Sequence, residues 1–91
     1  MTETIRAKRG DLFTIELSSN PSTGFCWEPS YDDDLLRLMD HSFKSRSHLI
    51  GAWGTESFTF QVLEEGEVLM RYRRPWEEED ADVRRFRVLL I

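Results

Sequence analysis

Ser57-Phe58-Thr59-Phe60-Gln61-Val62-Leu63 alternates without a break, apolar at 58, 60 and 62 and polar at 57, 59 and 61. A period of two puts Phe58, Phe60 and Val62 on one face of a strand and Thr59 and Gln61 on the other, so one side is buried and one is wet. Downstream, Glu65-Gly66 is a turn signal. Val68-Leu69-Met70-Arg71-Tyr72-Arg73 then repeats the pattern with Val68, Met70 and Tyr72 inward, until Pro75, which lacks an N–H, ends the ladder. The two runs read as a β-hairpin closed at Gly66. Working outward, Phe13, Ile15 and Leu17 share one face of Leu12 to Leu17, Phe25 and Trp27 share one face of Phe25 to Glu28, and Phe86, Val88 and Leu90 oppose Arg85 and Arg87 between Val83 and Ile91. Residues 30–48 give a weaker signal: Leu35, Leu36, Leu38 and Met39 fit a short helix or a strand, with Asp32-Asp33-Asp34 ahead of them, and the segment is read as strand. Short strands spaced by turns, with no sustained helical period, predict an all-β, immunoglobulin-like antiparallel β-sandwich of about seven or eight strands.

Composition narrows the function. The 91 residues make one domain, 1–91, long enough to bury roughly 60–70% of the surface of the unfolded chain. Twelve basic against 17 acidic residues leave a net charge of −5, without the positive footprint that a phosphate backbone requires, so no nucleic-acid partner is expected. The apolar runs are far too short to span a bilayer, and no membrane partner is expected. Met1-Thr2-Glu3-Thr4-Ile5-Arg6 has no hydrophobic core of a signal peptide, which reads as a cytoplasmic chain, or a periplasmic or secreted one if a leader has been removed. Cys26 is the single cysteine, which excludes an internal disulfide and a cysteine-rich metal site.

Three loops stand out. In Asn20-Pro21-Ser22-Thr23-Gly24-Phe25-Cys26-Trp27, Asn20 and Pro21 suit the opening of a β-turn and Gly24 accepts positive φ, so a rigid Ser-Thr tip leads into a core strand. Leu49-Ile50-Gly51-Ala52-Trp53-Gly54 sets a tryptophan between glycines at a bend, where it has little core to reach. Arg73-Arg74-Pro75-Trp76-Glu77 places another just after a strand-ending proline. Either tryptophan has a purely structural reading, Trp53 folded back on the sandwich end and Trp76 plugging the core; the core role suits Trp76 better.

In this order the loops resemble those of the chagasin family of cysteine-peptidase inhibitors: an Asn-Pro-Ser/Thr-Thr-Gly-aromatic loop at Asn20 to Phe25, a Gly-x-Gly-Gly loop at Gly51-Ala52-Trp53-Gly54, and an Arg-Pro-aromatic loop at Arg74-Pro75-Trp76. The resemblance covers the whole chain. It implies an immunoglobulin-like sandwich whose three loops, Asn20, Pro21, Ser22, Thr23, Gly24, Phe25, Gly51, Ala52, Trp53, Gly54, Arg74, Pro75 and Trp76, enter the cleft of a papain-like cysteine protease and block it reversibly. No catalytic residue, cofactor or metal is implied, and the free inhibitor is expected to be a monomer. Thr23 is expected to offer its hydroxyl to the protease, and Arg74 either to donate outward or to pair with Glu77-Glu78-Glu79-Asp80. The chain departs from the pattern at Trp53, where the family has glycine.

Other classes leave weaker marks. An enzyme would use Cys26 as nucleophile with His41 or His48 as base, but a lone cysteine between two core aromatics is packing material. A metal site at Asp32-Asp33-Asp34 lacks the spacing of a calcium loop, and a solvated turn fits better. The alternative function is an immunoglobulin-like module that binds another protein through the same loops without inhibiting a protease.

Overall fold

The computed structural model describes residues 2–46 and 53–91. Seven strands run through them: β1 (Thr2–Ala7), β2 (Leu12–Ser19), β3 (Cys26–Ser30), β4 (Leu36–Ser45), β5 (Gly54–Val62), β6 (Gly66–Arg73) and β7 (Asp82–Leu90). They form two sheets, one ordered β1-β7-β6-β3 and the other β2-β5-β4. All pairings are antiparallel except β1 with β7.

The core is the set of inward faces. Phe58, Phe60 and Val62 of β5 meet Val68, Met70 and Tyr72 of β6, with Ile15 and Leu17, Trp27, Leu36, Phe86 and Val88 closing round them. Each of these side chains is worth about 1.5–3 kcal/mol on burial, and the alternation that predicted them is the alternation observed. Trp27 and Phe25 both lie on Tyr72, with ring centroids 4.8 and 5.2 Å away, as their shared face requires.

The predicted hairpin is not formed. β5 and β6 lie in opposite sheets, and the turn at Glu65-Gly66 carries the chain across the sandwich. Alternation cannot separate the two cases, because facing sheets bury alternate residues as well as paired strands do. The bridging residues are held elsewhere: the N–H groups of Leu63 and Glu64 donate to the carbonyl of Leu35 at 3.0 and 2.9 Å. That anchor pulls the end of β5 toward the β3–β4 turn.

Residues 36–45 are strand, as read. A bulge between Leu38 and Asp40 resets the phase, so Leu36 and Leu38 face inward and His41 also comes to lie opposite Phe58. The aspartates ahead of it do not alternate. They form an exposed turn in which Asp32 accepts from Asp34 N through its side chain at 2.9 Å and from Leu35 and Leu36 N through its carbonyl. Their carboxylates lie within 4.8 Å of one another, a consequence of the turn. β1 went unread in the sequence because only Ile5 and Ala7 on its inner face are apolar.

Candidate functional site

The β2–β3 loop is built around Asn20. Its side-chain oxygen accepts from the backbone N and hydroxyl of Ser22 at 3.3 and 2.6 Å, and its carbonyl accepts from Thr23 N at 3.2 Å and Thr23 Oγ1 at 2.7 Å. Pro21 to Thr23 make a single 3-10 turn, ended by Gly24 in the left-handed region at φ 83°. Asn20 N donates to the Tyr72 hydroxyl at 3.0 Å, which fastens the buried cap to β6. The Thr23 hydroxyl therefore spends its proton inside the loop; toward a partner it has only acceptor capacity, contrary to the role as donor that a free hydroxyl would allow.

The β6–β7 loop locks onto this turn. Arg74 Nε donates to the Thr23 carbonyl at 2.9 Å, its guanidinium lies 4.3 Å from the centre of the Phe25 ring, and its other end pairs with Glu77 at 2.9 Å. Both sequence readings of Arg74 are thus incomplete: it pairs with the acidic run, yet its main work is to join two loops. Trp76 does not plug the core. It is 71% exposed, more than Trp53 at 49%, and its ring covers Gly24 so closely that a Cβ on Gly24 would stand 2.5 Å from Trp76 Cη2.

The strand ends that flank the third loop lie at the same end, because Ser19, Gly54 and Ser45 stand side by side in the register of β2, β5 and β4. Gly51 and Ala52 lie outside the described residues. Trp53 accepts at its carbonyl from Arg46 N at 3.2 Å, and Arg46 Nη2 reaches across to the Ser18 hydroxyl at 2.6 Å. Gly54, expected at the tip, is instead a buried strand residue: its Cα lies under the Phe43 ring, and a Cβ would strike that ring and the Lys44 carbonyl. The missing Cβ leaves room for the Phe43 ring.

Beneath the loops sits a residue that the sequence reading passed over. Glu56 is buried, accepts from Trp27 N at 3.1 Å and meets His41 Nε2 at 2.9 Å, while the His41 ring stacks on Phe58. One carboxylate thereby ties β5 to β4 and to β3 in the opposite sheet. The signal was present, since Glu56 has the parity of Phe58 and Phe60.

Among the described residues Cys26 has no catalytic setting; His48, the other base weighed for it, lies outside them. Burial, then the charges of Glu28 and Glu56, push its thiol above the ordinary value, and the Nε2 of His41 is committed to Glu56. A raised value means less thiolate at neutral pH. Ellman's reagent at pH 7.5 should label the folded chain at least about tenfold more slowly than the urea-unfolded chain; equal rates would show a reactive thiol.

The family model described as "Chagasin family peptidase inhibitor I42" matches residues 6–89. The chain belongs to the chagasin family. Chagasin of Trypanosoma cruzi is 36% identical over 95 residues, covering 96% of this chain and 86% of that protein. Amoebiasin-2 of Entamoeba histolytica is 32% identical over 80 residues, 82% of this chain and 65% of the relative. The solved cysteine protease inhibitor EhICP2 from Entamoeba histolytica superposes with a TM-score of 0.83 at 27% identity, over 99% of this chain and 86% of the other. PbICP-C, solved in complex with falcipain-2, shares the fold at a TM-score of 0.71 and 15% identity, over 100% of this chain and 90% of its own. The immunoglobulin-like sandwich expected from the strand pattern is thus that of chagasin-type inhibitors.

Proposed function

We propose that the chain is a reversible protein inhibitor of papain-like cysteine proteases that fills the active-site cleft with its three loops and acts as a monomer. Membership of the chagasin family supports the class. The observation that carries the mode is the lock between the β2–β3 and β6–β7 loops: Arg74 on Thr23 and Phe25, and Trp76 over Gly24. Loops already held in one shape lose little entropy on docking, which is where a tight inhibitor gains over a flexible substrate. The exposed anchors are Trp76 and Trp53, with Ser22, Thr23 and Pro75 around them; Asn20, Phe25 and Gly54 support them from below. Titration of the purified chain against a panel of papain-like proteases, with serine proteases as controls, tests the reading. Competitive inhibition with the chain recovered uncut is expected; no inhibition at about micromolar concentration, where even a modest interface binds, would reject it.

Trp53 occupies the family's glycine position. A half-exposed indole is costly to keep in water, and we assign it to an apolar pocket of the protease. Trp53→Gly should weaken inhibition of the best target about tenfold, roughly 1.4 kcal/mol. It should change little or improve inhibition of proteases with a small pocket. Tighter binding across the whole panel would make Trp53 an obstruction.

A further inference from the structure

The outer face of the three-stranded sheet holds an open cleft of about 470 Å³ beside the end of β4 and the start of β5, lined by Glu16, Lys44, Ser45, Arg46, Thr55 and Ser57. Its register explains its chemistry: Lys44, Thr55 and Ser18 stand in one row across β4, β5 and β2, and Ser42, Ser57 and Glu16 in the next. The Lys44 side chain makes no hydrogen bond or ion pair among the described residues, and Arg46 Nη2 donates to the hydroxyls of Ser18 and Thr55 at 2.6 and 3.5 Å. Two cations thus face one carboxylate, Glu16, in a chain whose net charge is −5. The flank is basic against the sign of the molecule.

The other flank is acidic. In the β6–β7 loop, Glu77 is paired with Arg74, Asp80 lies 3.8 Å from Arg73, and Asp82 accepts from Val83 N. Glu78 and Glu79 remain exposed, with no partner among the described residues. The end of β2 and the loop that follows it stand between the two flanks, bonded to one through Ser18 and Arg46 and to the other through Thr23 and Arg74. The loop end is therefore polarised across the line of its three loops.

We propose that the contact surface extends beyond the loops to both flanks, the Lys44–Arg46 cleft receiving an acidic protrusion of the protease rim and Glu78 and Glu79 facing a basic one. This rests on the inhibitory reading above. Unpaired charges on a rim act mainly on the rate of encounter, and two of opposite sign also fix which way round the partner docks. A target with a rim of one sign would be drawn to one flank and repelled by the other.

The test measures association rate constants with the panel protease that the wild-type chain inhibits most tightly, for the wild type, Lys44→Glu, and Glu78→Lys with Glu79→Lys. None of these side chains has a partner within the described fold, so folding should survive, and unchanged melting curves check it. At about 20 mM salt each variant should associate about fivefold more slowly than the wild type, the differences shrinking at about 500 mM as the charges are screened. If Lys44→Glu leaves the rate unchanged or raises it, or if only the acidic-flank variant slows association, the two-sided surface is overturned while inhibition by the loops stands. A wild-type chain that inhibits no panel protease removes the inhibitory reading itself.

Discussion

Gly24→Val is expected to weaken inhibition by about a hundredfold, close to 3 kcal/mol. Two causes add. At φ 83° a β-branched residue is strained by about 1–3 kcal/mol, and its Cβ would stand 2.5 Å from the Trp76 ring, so the indole must leave its place over the loop. Both movements fall on the surface proposed to meet the protease. The loop lies at the end of the sandwich rather than in its core, so thermal unfolding should shift far less than inhibition does. The cycle with Trp76→Ala separates the causes: with the ring gone, Gly24→Val should lose part of its effect, and the two losses should sum to more than the double variant shows. Inhibition constants within threefold of wild type for Gly24→Val would show that the loop lock is dispensable.

The second large effect is on stability. Glu56→Leu removes the acceptor for Trp27 N and for His41 in one step, leaving a backbone N–H buried without a partner at the junction of β3, β4 and β5. The expected loss is about 3 kcal/mol, or a fall of about 15 °C in Tm for a chain of this size. Glu56→Gln keeps an acceptor for Trp27 N and should lose clearly less. If the two variants melt together, the hydrogen bond to Trp27 is not what Glu56 supplies.

Much of this was legible in the sequence. Strand faces followed from alternation, because burial in a sheet has period two and the chain keeps that period at Phe58, Phe60 and Val62, at Val68, Met70 and Tyr72, and at Phe86 and Val88. The partner of each strand was not legible in the same way. Nothing in the alternation of β5 and β6 says whether they pair or face each other, and the carbonyl of Leu35 that decides it lies far off in sequence. The loop motifs gave the positions of the candidate site but not the division of labour within it. Gly54 and Asn20 belong to the loop motifs and are buried supports; Trp76, for which the sequence allowed a contact residue or a core plug, is exposed at the site. Each outcome comes from a contact with another element, Phe43 over Gly54, the Tyr72 hydroxyl on Asn20, and Arg74 on Thr23 and Phe25 about fifty positions away, and none leaves a local trace.

In the function proposed above, these three loops occupy the protease cleft itself. Binding of the fluorescently labelled chain to a papain-like protease that it inhibits is measured twice, with the cleft open and with the cleft filled by a covalent peptidyl reagent on the catalytic cysteine. Tight binding to the open enzyme and a loss of at least about a hundredfold on filling the cleft are predicted, because the same space cannot hold both. Equal affinity for the two forms would place the contact elsewhere on the protease and contradict the account.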